Sequence, residues 1–152
     1  MLSIANIIDV GPFKMAHEEK NRVFLETIRD LTIFHYQHCQ PYRNIVDSLR
    51  FDVNKSHTID EYVFLPARLF KKYSLTSVGP GSITKTMVSS GTSGQAVSKI
   101  FLDSATAQNQ TRALAQIVSN FIGPKRLPLL IIDSPNAAPK EKQFSARAAG
   151  IA

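Results

Sequence analysis

The stretch between residues 83 and 102 limits the fold more than any other. Residues 83–90 and 96–102 are rich in β-branched and apolar side chains, and Gly91, Thr92, Ser93, Gly94 and Gln95 stand between them. Two such runs around a short glycine-containing segment predict two strands joined by a tight loop. Asp103 or Ser104 can cap a helix that follows directly, with Ala107, Leu114, Ile117, Val118 and Phe121 as its apolar stripe. Gly123 and Pro124 end that helix. Residues 127–132 are continuously apolar, the pattern of a strand covered on both faces, and Asp133, Ser134 and Pro135 close it. Strand, loop, strand, helix and strand over residues 83–135 predict an α/β protein.

The loop is also where chemistry concentrates. Ser89, Ser90, Gly91, Thr92, Ser93 and Gly94 place four hydroxyls and two glycines in six residues, with Ser98 and Lys99 just beyond. Glycines let backbone N–H groups converge on an anion, hydroxyls add donors and a lysine adds charge, so a polyphosphate is a natural guest. A hairpin turn of the same composition with no ligand satisfies the residues equally.

Residues 1–78 read as a helical region. From residue 16 to 38, Val23, Phe24, Ile28, Leu31 and Phe34 recur at helical spacing, and Glu18 and Glu19 sit near the start, where the helix dipole favours acids. Pro41 follows, then a shorter helix over residues 42–51 with Tyr42, Ile45, Val46 and Leu49 inward. Residues 52–57 form a polar loop, and residues 61–70, broken by Pro66, read as extended chain followed by a turn of helix. Val78, Gly79, Pro80, Gly81 and Ser82 break the chain before the first strand. The aromatics Phe24, Phe34, Phe64, Phe70 and Phe121 are expected in the core.

With 152 residues and 43% hydrophobic content, the chain suits one globular domain able to bury a core. The lone Cys39 cannot close an internal disulfide, which fits a reducing compartment, and the cytoplasm is the expected location. Neither a secretory signal nor a membrane span is expected: the longest aliphatic run, residues 127–132, contains Pro128 and is far below the roughly 20 residues a spanning helix needs. The net charge of +6 is dispersed, with pairs such as Lys71 and Lys72 or Lys125 and Arg126 as its densest groups. Nucleic acid is therefore not an expected partner, since a groove for it needs clustered bases and aromatics. A mild positive field suits a small anion such as a nucleotide.

The string MVSSGTSG, read with SKIFLD and a capped helix, resembles the phosphate-binding motif of adenylate-forming enzymes. Within that superfamily, SSGTSGQAVSKIFLDSATAQNQ, RLPLLIIDSP and FSARAAGI are most similar to the acyl-protein synthetases of bacterial luminescence. HYQHCQPYRN and LPARLFKKYSL resemble the N-terminal region of the same family in order and spacing, so the likeness covers nearly the whole chain. The resemblance implies an N-terminal helical segment followed by the start of a mixed sheet with a phosphate-binding hairpin. It implies ATP and Mg2+ as cofactors and a fatty acid as substrate. The carboxylate attacks the α-phosphate, pyrophosphate leaves, and the acyl group passes to a protein thiol and on to an aldehyde-forming reductase. Ser89, Ser90, Gly91, Thr92, Ser93 and Gly94 would then wrap the β- and γ-phosphates, with Lys99 adding charge. No catalytic residue is assigned.

Members of that family are longer. Their adenine and ribose motifs, the acid that helps bind magnesium and the acyl-accepting cysteine lie downstream of this loop, and Cys39 does not occupy that cysteine's place. Residues 1–152 are thus expected to form one N-terminal, incomplete part of an adenylate-forming domain, completed by further polypeptide. The alternative is a non-catalytic nucleotide-binding or protein-interaction fragment. Other motifs carry less. GPGSITKT over residues 79–86 approaches a Walker A loop, but Thr84 stands where glycine is required before Lys85, and a linker turn into the first strand accounts for it better. His35, His38 and Cys39 share a helix end without a second pair to complete a metal set, and no metal site is assigned. Asp133 ends an apolar run, where a turn cap or a ligand contact is possible.

Overall fold

A computed structural model of the chain describes residues 4–11, 13–89, 97–128, 130, 132 and 143–145. Its α-helices are α1 (Ile4–Val10), α2 (His17–His38), α3 (Gln40–Ser48), α4 (Leu69–Lys72) and α5 (Ser104–Ile122). Its strands are β1 (Ile83–Val88), β2 (Lys99–Asp103) and β3 (Gln143–Ser145), in the sheet order β2-β1-β3. β1 runs antiparallel to β2 and parallel to β3, so the sheet is mixed and the chain combines helices with strands as expected.

The long helix predicted over residues 16–38 is α2, and Glu18 and Glu19 occupy its first turn. Cys39 then serves two helices at once. Its extended backbone closes α2 by donating its N–H to His35 O and opens α3 by accepting from Arg43 N–H. The second helix starts earlier than Pro41 suggested, at Gln40. In the first turn a proline sacrifices no helical hydrogen bond, because that N–H would have no intrahelical partner, so Pro41 begins the helix instead of preceding it. Arg50 ends α3 in a left-handed conformation (φ 54°), with Arg50 N–H donating to Asp47 O and Phe51 N–H to Val46 O. This is the Schellman arrangement, here with arginine where glycine is usual.

α2 and α3 form a locked helical pair. Arg43 Nε and one of its terminal nitrogens donate to the carbonyls of Tyr36 and Gln37 at 2.8 Å each, satisfying C-terminal acceptors of α2. The Tyr36 hydroxyl donates to Asp47 at 2.8 Å, and the Arg43 guanidinium lies 5.2 Å from the Tyr36 ring centre. Val46, fully buried, and the buried Cys39 and Thr32 fill the space between. Farther along, Phe51 stacks on His57 (4.1 Å, 24°), and Thr58 and Glu61 cap a 3-10 turn at Ile59–Glu61.

Several expected core positions are open to solvent. Phe24, Phe34, Phe64 and Phe121 are exposed, Phe64 at 86%, and only Phe70 of that set is partly covered. The stripe of α5 differs too: Ala107 is half-buried, whereas Leu114, Ile117, Val118 and Phe121 are exposed. Helical periodicity reports that a face is apolar; burying it requires a neighbour, and α1 covers only one flank of α5. Residues 127, 128, 130 and 132 form no strand, and Leu130 and Ile132 stand 85% and 91% exposed. An apolar run becomes a strand only when a partner takes its backbone groups and both faces are covered, and neither condition is met at these positions. The strand beside β1 comes instead from Gln143–Ser145.

Candidate phosphate-binding hairpin

β1 and β2 pair from Ile83 opposite Asp103 to Val88 opposite Lys99, with a bulge between Ile83 and Lys85. Beyond the last pair, Ser89 and Ser98 hold each other twice: Ser89 N–H donates to Ser98 O at 3.1 Å, and Ser98 N–H donates to the Ser89 hydroxyl at 2.9 Å. This pair of hydrogen bonds forms the neck of the hairpin. Ser89 is exposed at this neck, and Lys99 is the first, exposed residue of β2. Ser90, Gly91, Thr92, Ser93 and Gly94 lie outside the described residues, as does Asp133.

α5 starts at the opposite end of the strand pair from this neck. Asp103 caps the helix, its Oδ1 accepting the Thr106 N–H at 2.8 Å, and the Thr106 side chain and backbone hold the Asp103 carboxyl below its ordinary range. The helix leaves the far end of β2 and folds back along the sheet, so that Gln110 Nε2 reaches Met87 Sδ at 3.2 Å. Thr111 and Arg112 border a recess shared with Thr84 and Lys85, near the start of β1. Alternation along the strands puts Met87 and its partner Ile100 on the α5 side and Lys99 on the other. α5 ends at Gly123, whose φ of +84° suits glycine.

The remaining motifs sort by their surroundings. Within residues 79–86, Gly79 caps a 3-10 turn at Pro80–Ser82, and Lys85 sits inside β1 opposite Leu102 rather than at the start of a helix. The segment is a turn into a strand. His35, His38 and Cys39 look to different partners: His35 Nδ1 and the Ser77 hydroxyl share a 2.7 Å hydrogen bond, His38 Nδ1 donates to Phe34 O at 2.8 Å, and the thiol is buried. Among the described residues no three His, Cys, Asp or Glu side chains gather to hold a metal ion. Burial, and secondarily His38, push the His35 pKa down, which favours the neutral imidazole beside Ser77.

Three features were not read from the sequence. The Ser77–His35 bond links residues 42 positions apart and joins α2 to the segment leading into β1. The reciprocal Ser89–Ser98 neck was hidden in a run of hydroxyls with no mark of which pair would meet. The third is an apolar groove of about 290 Å³ between α1 and α5, lined by residues that include Ile7, Met15, Ala113 and Ile117. Helix α1 is only seven residues long, too short for its periodicity to stand out.

Among the described residues no helix is long and apolar enough to cross a membrane. The family model for acyl-protein synthetase, LuxE, matches residues 3–151. No curated protein and no solved structure matches the chain.

Proposed function

Because the chain belongs to the LuxE acyl-protein synthetase family, we propose that it takes part in ATP-dependent activation of a fatty acid and its transfer to a protein thiol. The observation that carries this is the family match over residues 3–151, which spans the β1–β2 hairpin and α5. In this reading Ser89, Ser90, Gly91, Thr92, Ser93 and Gly94 hold the β- and γ-phosphates of ATP, and Lys99 adds positive charge from the neck.

The described part of the hairpin suits a polyphosphate. The Ser89–Ser98 neck closes the strand pair on either side of a hydroxyl-rich stretch of sequence, and Lys99 is exposed and open to an anion from solvent. Magnesium accompanies the nucleotide and supplies charge neutralisation on its phosphates. The loop residues bind and orient the β- and γ-phosphates, so that the acid's carboxylate can displace pyrophosphate at the α-phosphorus. Donors fixed before the reaction stabilise charge growing on the leaving pyrophosphate without reorganising. The thiol that accepts the acyl group is not Cys39, which is 3% exposed and set in the α2–α3 junction. An acyl-accepting reductase is the natural consumer of the product.

A second reading, a nucleotide-binding or protein-interaction fragment that works with further polypeptide, is favoured by the open face of α5, where Leu114, Ile117, Val118 and Phe121 meet solvent. Pyrophosphate exchange into ATP distinguishes the two. Exchange stimulated by a long-chain fatty acid, and abolished by Thr92→Ala or Gly94→Val, supports catalysis. MgATP binding without exchange supports the second reading, and exchange unchanged in both variants removes the loop from the mechanism.

A further inference from the structure

We propose that the groove between α1 and α5 is the seat of the fatty-acyl tail, with Ile7, Ile8, Met15, Ala113 and Ile117 against the chain and Lys20 facing the acid end; this rests on the ligase reading above. Among the described residues that line the groove, all are apolar apart from Gln116 and Lys20, so Lys20 carries the single charge of that set. A second ammonium lies close by, because the Lys14 stem runs past Gly11, another lining residue, within 3.7 Å of where a Cβ would stand. An apolar trough with Lys20 in its lining, Lys14 beside it and the Asp9 carboxylate already paired with Arg112 complements a single-chain molecule with an anionic head. It opposes an amphiphile with a cationic head.

Size selects among apolar occupants. The groove holds about 290 Å³. An α-helix is about 10–12 Å across, so a helix would fill that volume with only about two residues of its length. One alkyl chain can lie wholly within the space, whereas a docked helix could place only side chains in it. The walls are held by contacts at both ends: Asp9 of α1 pairs with Arg112 of α5, and Phe13 meets Phe121 edge-on at 5.9 Å.

Calorimetric titration of the whole chain with dodecanoate, tetradecanoate and dodecyltrimethylammonium, each below its micelle-forming concentration, tests this. Each methylene that leaves water should tighten binding by up to about fourfold, so tetradecanoate should exceed dodecanoate by about tenfold or more. Ala113→Phe should weaken both acids at least tenfold. Lys20→Glu, at an exposed position that leaves the fold intact, should weaken the carboxylates and not the ammonium compound, which keeps the test open even if Ala113→Phe fails to fold. Equal affinity for the two acids, or acid binding untouched by Lys20→Glu, overturns the assignment; so does a dimer in sedimentation that Ala113→Phe dissociates, since a second copy would then cover the groove. MgATP titrated into the same samples separates this from the phosphate-loop reading: acid binding without MgATP binding refutes the loop alone, and MgATP binding without acid binding refutes the groove alone.

Discussion

Replacing Asp103 tests how the hairpin and α5 are joined. Its carboxylate accepts the Thr106 N–H at 2.8 Å, at the point where β2 ends and α5 begins. Asp103→Ala removes the cap, which costs about 1 kcal/mol, near the middle of the range for such losses, because water can reach the freed N–H in this exposed first turn. Loss of the negative charge from the helix N-terminus adds about 0.3–1 kcal/mol. For a chain of this size, about 1.5 kcal/mol corresponds to a fall in Tm of about 3–6 °C. Asp103→Asn keeps the acceptor and loses only the charge, so its Tm should fall between those of the parent and the alanine variant. The pH dependence has a definite sign. Hydrogen bonds from Thr106 lower the folded-state pKa below the ordinary 3.8, so the unfolded chain binds more protons near that pH. The charge contribution is present above 3.8 and disappears as pH falls through the folded value, and the parent and Asp103→Asn should converge there. Thermal melts followed by circular dichroism from pH 3 to 7 check this. Identical Tm values for parent and Asp103→Ala at pH 7, or a gap between parent and Asp103→Asn that does not narrow in acid, would refute the reasoning.

Val46→Ala removes two methyl-sized groups from a fully buried site between α2 and α3 and should cost about 2–3 kcal/mol, measured by urea unfolding. Gly123→Ala has open space for its Cβ but must hold φ near +84°, so it should destabilise by about 1–2 kcal/mol through the backbone alone, again read from urea unfolding. His35 has a lowered folded-state pKa, so the unfolded chain binds more protons below about pH 6.5. Stability should therefore decline as pH falls from 6.5, and a His35→Gln variant should lose that part of the slope in parallel melts.

Local signals on the sequence were sufficient wherever the cause of structure is local. The helix read from Val23, Phe24, Ile28, Leu31 and Phe34, the strand pair around residues 91–95, the Asp103 cap and the Gly123 stop all have causes within a few residues of themselves, and each of these elements is found where expected, although Phe24, Leu31 and Phe34 are exposed. Errors arose where a neighbour decides. Leu130 and Ile132 are as apolar as any buried strand, and Phe121 as any core aromatic, but Leu130 and Ile132 stay exposed and Phe121, although Phe13 meets its edge, is still 71% exposed. The start of α3 failed for a subtler reason, since Pro41 ends or begins a helix according to which turn it occupies. The hairpin's position was legible in the loop's composition, whereas the Ser89–Ser98 neck was not, because strand register decides which hydroxyls of the run meet.

The proposed function requires the segment from Ser89 to Lys99 to grip the phosphate tail of ATP. Amide NMR spectra recorded during MgATP titration test it most directly. The account predicts saturable shifts concentrated at residues 89–99, with those shifts lost in Gly94→Val while the signals of α2 and α3 stay in place. Saturable shifts elsewhere with residues 89–99 unmoved, or no response to MgATP at all, would contradict it.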